Sequence, residues 1–269
     1  MPDDIGKQNV RDLYIDLLRD VLINDIYRDP PIQGSALRYL SRKLRGKASA
    51  LSFDQKRRGK GLDWPSVAHS MIGKARMNNL RDLTIDVVSK GVPGDLIETG
   101  VWRGGACILM RGILKALGDE SRTVWVADSF EGLPPPDKSK YAADAGDTHY
   151  KMDFLAISLE EVQENFRRYG LLDSQVRFLK GWFRDTLPTA PIERLAILRL
   201  DGDMYESTMD GLVALYHKVS PGGYVIVDDY HAVAACKSAV HDFLDRQGAG
   251  SAVTMNEIDG TGVYWRREA

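Results

Sequence analysis

The feature that most constrains this chain is a rhythm that sets in after Gly91-Val92-Pro93-Gly94, where short apolar runs begin to alternate with helical segments. Residues 95–99 (DLIET), 123–127 (TVWVA), 176–180, 195–200 (LAILRL) and 224–227 (YVIV) read as strands. Residues 106–117, 159–169, 209–219 and 232–247 read as helices between and after them, and 252–258 with 262–266 resembles a closing hairpin. Such alternation predicts an α/β fold with a parallel sheet covered on both faces. Right-handed crossovers then bring the C-terminal ends of the strands to one edge, where ligands of such sheets bind.

Upstream of the rhythm the pattern is helical. Val10, Leu13, Tyr14, Leu17, Leu18, Val21 and Leu22 recur at three- and four-residue steps, which predicts an amphipathic helix over 10–27, stopped by Pro30-Pro31. Residues 41–60 are rich in Lys and Arg, a pattern of a solvated face or mobile loop, or of a segment that meets an anionic group. Trp64-Pro65 leads into a further helix over 70–90. The 269 residues thus divide into an N-terminal helical extension, 1–68, and an α/β domain, 69–269. A net charge of −2 argues against a nucleic-acid footprint. No apolar run reaches the ~20 residues needed to span a bilayer, and the N-terminus lacks the apolar core of a secretion signal. The two cysteines, Cys107 and Cys236, each fall in a predicted helix without CxxC spacing, so neither a disulfide framework nor thiolate-bound zinc is expected. Together these features predict a cytoplasmic protein.

The strand ends carry the chemistry. The first runs into Glu98-Thr99-Gly100-Val101-Trp102-Arg103-Gly104-Gly105, a turn whose glycines let a ligand approach the backbone. Its G-x-x-x-G-G spacing is not the G-x-G-x-x-G of dinucleotide binders. Glu98 would repel phosphates and suit the ammonium group of S-adenosylmethionine (SAM). Asp128-Ser129-Phe130 ends the second strand, where an acid can accept both ribose hydroxyls of an adenosine. Gly181-Trp182-Phe183 follows the third, and its aromatic pair could cover an adenine ring. Singly, each has a plain reading as turn, cap or core packing; in this order on successive strand ends they reinforce one another. Residues 131–151, with Pro134-Pro135-Pro136, Asp144, Asp147 and His149, form a long connection leaving the ligand edge, which favours a lid over a disordered loop.

The fourth strand ends in Asp201-Gly202-Asp203 and the fifth in Asp228-Asp229. If these strands are neighbours, four carboxylates converge, and a divalent cation relieves their repulsion. Oxygen-only ligation suits Mg²⁺, Mn²⁺ or Ca²⁺. The plain alternative is that some of these acids cap helices or pair with Arg199 or Lys237. In an extended segment Asp201 and Asp203 share a face, so one acid can ligate a metal while another accepts a proton from a substrate hydroxyl.

The stretches LIETGVWRGGACILMR (96–111), VADSFEGLPPPD (126–137), GWFRDTLP (181–188), LRLDGDMYEST (198–208) and GGYVIVDDY (222–230) resemble the macrocin O-methyltransferase family, and the likeness extends from about residue 70 to the TGVYWRR end. That resemblance implies a class I SAM-dependent methyltransferase fold, Rossmann-like with a mainly parallel seven-stranded sheet and added N-terminal helices. It implies SAM and Mg²⁺ (or Mn²⁺) as cofactors, a sugar hydroxyl of a macrolide or aminocoumarin glycoside as acceptor, and a homodimer or higher homo-oligomer built partly on the extension, which would also form the acceptor and lid region. By motif position, Asp201, Asp228 and Asp229 would ligate the metal and Asp203 would be the general base. Met71 (in HSMIG), Glu98, Thr99, Gly100, Arg103, Gly104, Asp128, Ser129, Gly181, Trp182 and Phe183 would lie around SAM, and His149 or Tyr150 would face the acceptor. A catechol-type O-methyltransferase and a SAM-binding scaffold without activity remain as alternatives; a nicotinamide-dependent oxidoreductase is disfavoured by the glycine spacing.

Overall fold

A computed structural model describes residues 2–32, 52–248 and 253–268. In chain order the elements are α1 (Pro2–Leu22), α2 (Gln55–Gly59), α3 (Gly73–Ser89), β1 (Asp95–Thr99), α4 (Gly105–Leu117), β2 (Val124–Asp128), α5 (Leu159–Arg168), β3 (Val176–Lys180), α6 (Phe183–Thr186), β4 (Leu195–Leu200), α7 (Tyr205–Leu215), β5 (Val219–Val227), α8 (Ala234–Arg246), β6 (Asn256–Glu257) and β7 (Val263–Arg266). Seven strands form one sheet in the order β3-β2-β1-β4-β5-β7-β6. The first five in that order are parallel; β7 runs antiparallel to both β5 and β6. β4, covered on both faces, is buried at every position (LAILRL) and shows no polar alternation. One hydrophobic cluster joins α1, α3, α4 and α5 to one face of the sheet, and a second joins α7 and α8 to the other.

The predicted strands coincide with the observed ones at β1, β3 and β4, and the closing hairpin is present. β4 and β5 are neighbours, the condition on which convergence of the acids depended. α7 begins four residues before the helix expected at 209. Its first turn is capped from afar: Asp144 accepts from the backbone N–H of Tyr205 (2.7 Å) and Glu206 (3.0 Å). α1 differs more. It ends at Leu22, and the seven-residue apolar stripe expected of it does not pack as one face. Leu18 and Leu22 are buried, together with Ile15 and Ile23, whereas Val10, Leu13, Tyr14 and Leu17 are exposed. The basic run 41–60 lies outside the described residues as far as 51; beyond that, Arg58 on α2 is buried, 1% exposed, and meets Asp29 and Asp63.

Two glycines set the close approaches at the sheet edge. Gly100 has φ +87°, and a Cβ on it would lie 1.8 Å from the Asp201 carbonyl oxygen. Gly104 (φ +85°) precedes α4, and a Cβ there would meet the Val162 side chain at 2.9 Å. The turn after β1 can therefore nest against the turn after β4 only without a side chain at Gly100, and against α5 only without one at Gly104.

Candidate active site

A cavity of about 360 Å³ opens at the C-terminal edge of the sheet, within the size range of small-molecule sites. Met71, Glu98, Gly100, Asp128, Ser129, Trp182, Phe183, Asp201, Asp203, Asp228 and Asp229 all line it. Four other expected residues stand behind its surface. Thr99 is buried in β1, where its carbonyl accepts from the Asp201 N–H (2.9 Å). Arg103 turns away to donate to the carbonyls of Ala68 (2.9 Å) and Pro65 (3.3 Å), with its guanidinium 4.2 Å from the Trp102 ring centroid. Gly104 packs against α5, and Gly181 (φ +139°) turns the chain between β3 and Trp182. His149 lines the cavity, whereas Tyr150 is exposed beside it.

Asp128 at the end of β2 holds the glycine turn: one oxygen accepts from Val101 N–H (2.8 Å) and the other from Phe130 N–H (2.7 Å). Burial raises its pKa despite these bonds. Glu98 is buried at the end of β1, accepting from the Cys107 thiol (3.0 Å) and from Arg199. Burial outweighs the Arg199 charge and moves the Glu98 pKa up to about 7.

At the cavity floor, Asp201, Asp228 and Asp229 each offer a carboxylate oxygen, and the three lie within 4.8 Å of one another. Two guanidinium groups enter this cluster. Arg199 on β4 donates to Glu98, Asp201 (2.7 Å) and Asp228; Arg76 on α3 donates to Asp228 and to Asp259 (3.0 Å). The expected alternative pairing with Arg199 is thus present, while Lys237 stacks on Tyr230. The pairing leaves charge uncompensated, since Glu98, Asp201, Asp203, Asp228 and Asp229 all line the same cavity against these two arginines. Burial, then the neighbouring carboxylates, raises Asp229 far above the ordinary range and raises Asp201 as well. Burial and the Asp201 charge carry Asp203 to about 7. Asp203 does not share an extended face with Asp201. It sits in a left-handed turn at φ +57° with its N–H directed at Asp229 (3.3 Å). The chain reverses there to start α7, which brings the carboxylate back to the cavity. Backbone strain of this kind at a non-glycine residue concentrates at functional sites. The oxygen-only, charge-excess donor set fits a hard divalent cation.

The connection after β2 folds over the cavity in short 3₁₀ turns, Ala142–Asp144, His149–Lys151 and Asp153–Leu155. His149 hydrogen-bonds through Nδ1 to Asp147 (2.7 Å), which also accepts from the His149 backbone N–H (2.8 Å). Burial lowers the His149 pKa, but the Asp147 bond and the Asp203 charge outweigh it and the net shift is upward. The far end of this connection is tied down by Trp102, whose indole donates to the Phe154 carbonyl (2.9 Å), and by Trp64, whose ring centroid lies 4.8 Å from that of Phe154. Sequence reasoning singled out neither Arg76 nor the wall formed by His69, Ser70 and Trp102. Arg76 arrives from 152 residues away through tertiary packing, and no local pattern marks it.

A sheet of this strand order, with its ligand cavity at the C-terminal strand ends, defines a class I methyltransferase fold. The Macrocin-O-methyltransferase (TylF) family matches residues 11–267, and the chain belongs to that family. It is an O-methyltransferase. It is 52% identical over 263 residues, 97% of this chain and 95% of the relative, to the 8-demethyl-8-(2,3-dimethoxy-alpha-L-rhamnosyl)-tetracenomycin-C 4'-O-methyltransferase of Streptomyces olivaceus. It is 52% identical over 256 residues, 95% of this chain and 93% of the relative, to the demethyldecarbamoylnovobiocin O-methyltransferase of Streptomyces niveus. The solved structure of the O-methyltransferase NovP superposes with a TM-score of 0.87 at 50% identity, covering 96% of this chain and 100% of that one.

Proposed function

We propose that this enzyme transfers a methyl group from SAM to a sugar hydroxyl of a glycosylated natural product, with a divalent cation, Mg²⁺ or Mn²⁺, held by Asp201, Asp228 and Asp229. The observation that carries the reading is the uncompensated acidic floor lying in the same cavity as the Gly100 turn, Asp128 and Trp182. The relative whose name specifies a rhamnosyl acceptor supports a sugar, and the difference between the tetracenomycin and novobiocin scaffolds leaves the aglycone of this chain open.

In this reading Gly100 and the β1 turn receive the methionine half of SAM, Asp128 and Ser129 the ribose, Trp182 and Phe183 the adenine, and Met71 closes from the N-terminal side. SAM supplies the electrophilic methyl, and the cation supplies Lewis acidity towards a chelated acceptor hydroxyl. Asp203 is the proton acceptor: it lines the cavity beside the three acids of the floor, and a cation held by those acids would lower its pKa and keep it ionised to take the hydroxyl proton. His149, braced by Asp147, forms the acceptor wall of the lid. Thr99, Arg103, Gly104 and Gly181 act from behind the surface by holding the turns. Transfer requires a near-linear approach of the hydroxyl oxygen to the methyl carbon, so alignment by these walls contributes much of the rate. The N-terminal extension borders the acceptor side of the cavity through Gly61, Leu62 and Trp64, and the exposed apolar side of α1 supplies a homodimer interface. No helix among the described residues is long and apolar enough to cross a membrane; a cytoplasmic location and a small-molecule acceptor, not nucleic acid, complete the proposal.

The test is mass spectrometry of products made with trideuteriomethyl SAM. A glycoside with a free vicinal diol should gain one labelled methyl on the sugar. Labelling of a flat catechol but of no glycoside would replace the sugar assignment with a phenolic one.

A further inference from the structure

Residues 64–72 join the N-terminal helices to α3, and their second half is a wall of the cavity: His69, Ser70, Met71 and Ile72 all line it. This strap is pinned from two sides. On the inner side, Gly105 N–H donates to the His69 carbonyl (3.0 Å) and Arg103 donates to that of Ala68 (2.9 Å). A Cβ at Gly105 would lie 2.4 Å from the His69 oxygen, so the strap rests directly on the start of α4.

On the outer side the side-chain anchor is one carboxylate. Oδ2 of Asp29 accepts from Val67 N–H (2.6 Å), Ala68 N–H (3.4 Å) and the Ser66 hydroxyl (3.2 Å). Oδ1 accepts from Asn24 (2.8 Å) and from Nη1 of Arg58 (2.8 Å). Arg58 is itself fixed by Asp63 (2.9 Å) and by the carbonyls of Ile23 (2.9 Å) and Asp29 (2.9 Å). Asp29 is 7% exposed and Arg58 1%. A buried ion pair gains little net stability over apolar packing. What it provides here is geometry: charge-assisted bonds are short and directional, and these end on the backbone of the strap. The Leu22 carbonyl adds two bonds, from His69 N–H (2.9 Å) and Ser70 N–H (3.0 Å).

We propose that Asp29, backed by Arg58, is a positioning residue for the methyl donor: it fixes residues 66–68, the base of the strap, so that His69 to Ile72 close on the cavity beside the Gly100 turn. The N-terminal extension thereby acts on donor binding, not only on the acceptor. The inference rests on the reading that SAM occupies this end of the cavity.

The test uses the full-length protein and Asp29→Asn, which keeps the shape and removes the charge. Titration calorimetry with SAM should show affinity weakened about tenfold, the result when the released strap holds its binding position only about a tenth of the time. KM for SAM should rise in proportion, with kcat at saturating SAM and KM for the acceptor each within about twofold of wild type. Amide exchange at Val67 and Ala68 should accelerate. Arg58→Lys, which keeps the charge and loses the fork, should show the same selective effect and serves if Asp29→Asn does not fold. Faster exchange at 67–68 with unchanged SAM affinity would overturn the inference. So would a fall in kcat with KM for SAM unchanged, the mark of a merely structural role. Wild-type protein that binds no SAM would overturn the donor assignment and this inference together, whereas normal wild-type binding with an indifferent variant overturns the inference alone.

Discussion

Asp203 concentrates the chemistry into one side chain. It is a half-buried non-glycine residue at φ +57°, beside three other carboxylates, with its pKa moved to about 7. Asp203→Asn should cut the single-turnover rate by ~10²-fold or more, as general-base losses do, while SAM affinity stays near wild type; a normal single-turnover rate would remove it from the base role. The same electrostatics set a pH dependence. Glu98 and Asp203 both titrate at about 7 in the folded chain, above the ~4 of free carboxylates. A group raised in this way contributes stability that is fully present below its unfolded value and is lost as pH rises through about 7. A cation at the floor opposes that loss and displaces protons. The rise in Tm on adding Mg²⁺ should therefore be larger at pH 8 than at pH 6, and a rise independent of pH would contradict the account. Asp201, Asp228 and Asp229 were legible in the sequence because strand periodicity puts them at strand ends. Arg76 was not, since only the packing of α3 against the sheet brings it to Asp228.

Among the elements, those whose packing is local were readable and those completed from a distance were not. β1, β3 and β4 follow from runs of apolar residues alone. The start of α7 depends on Asp144 in the lid, so no reading of residues 201–209 could place it. This cap also joins the lid to the turn bearing Asp203, and lid order and base position should vary together. α1 was misread in its facing, because Ile15 and Ile23 share its buried side with Leu18 and Leu22 and leave Val10, Leu13, Tyr14 and Leu17 outside. Exposed apolar residues grouped on one helix mark an interaction surface. Leu13→Lys with Leu17→Lys should convert the proposed homodimer to monomer in light scattering while SAM affinity persists; an unchanged mass would place the interface elsewhere.

At the scale of the whole molecule, two hydrophobic clusters clamp one sheet and leave its C-terminal edge to function. Topology alone required the glycine turn, Asp128 and the paired acids to meet there once the strand order was known, which is why so much of the site followed from the order of motifs along the chain. The walls made by the strap and the lid did not follow, because contacts such as Trp64 with Phe154 join segments distant in sequence. The central claim is that methyl transfer depends on a cation held by the acids at the ends of β4 and β5. Its most direct test is the single-turnover rate from labelled SAM to an accepted glycoside, measured after chelator treatment and again as Mg²⁺ or Mn²⁺ is returned, in wild type and in Asp201→Ala. The account predicts that stripped wild type is silent and recovers with metal, and that Asp201→Ala stays silent at concentrations that saturate wild type. Full transfer by the stripped wild type would contradict it.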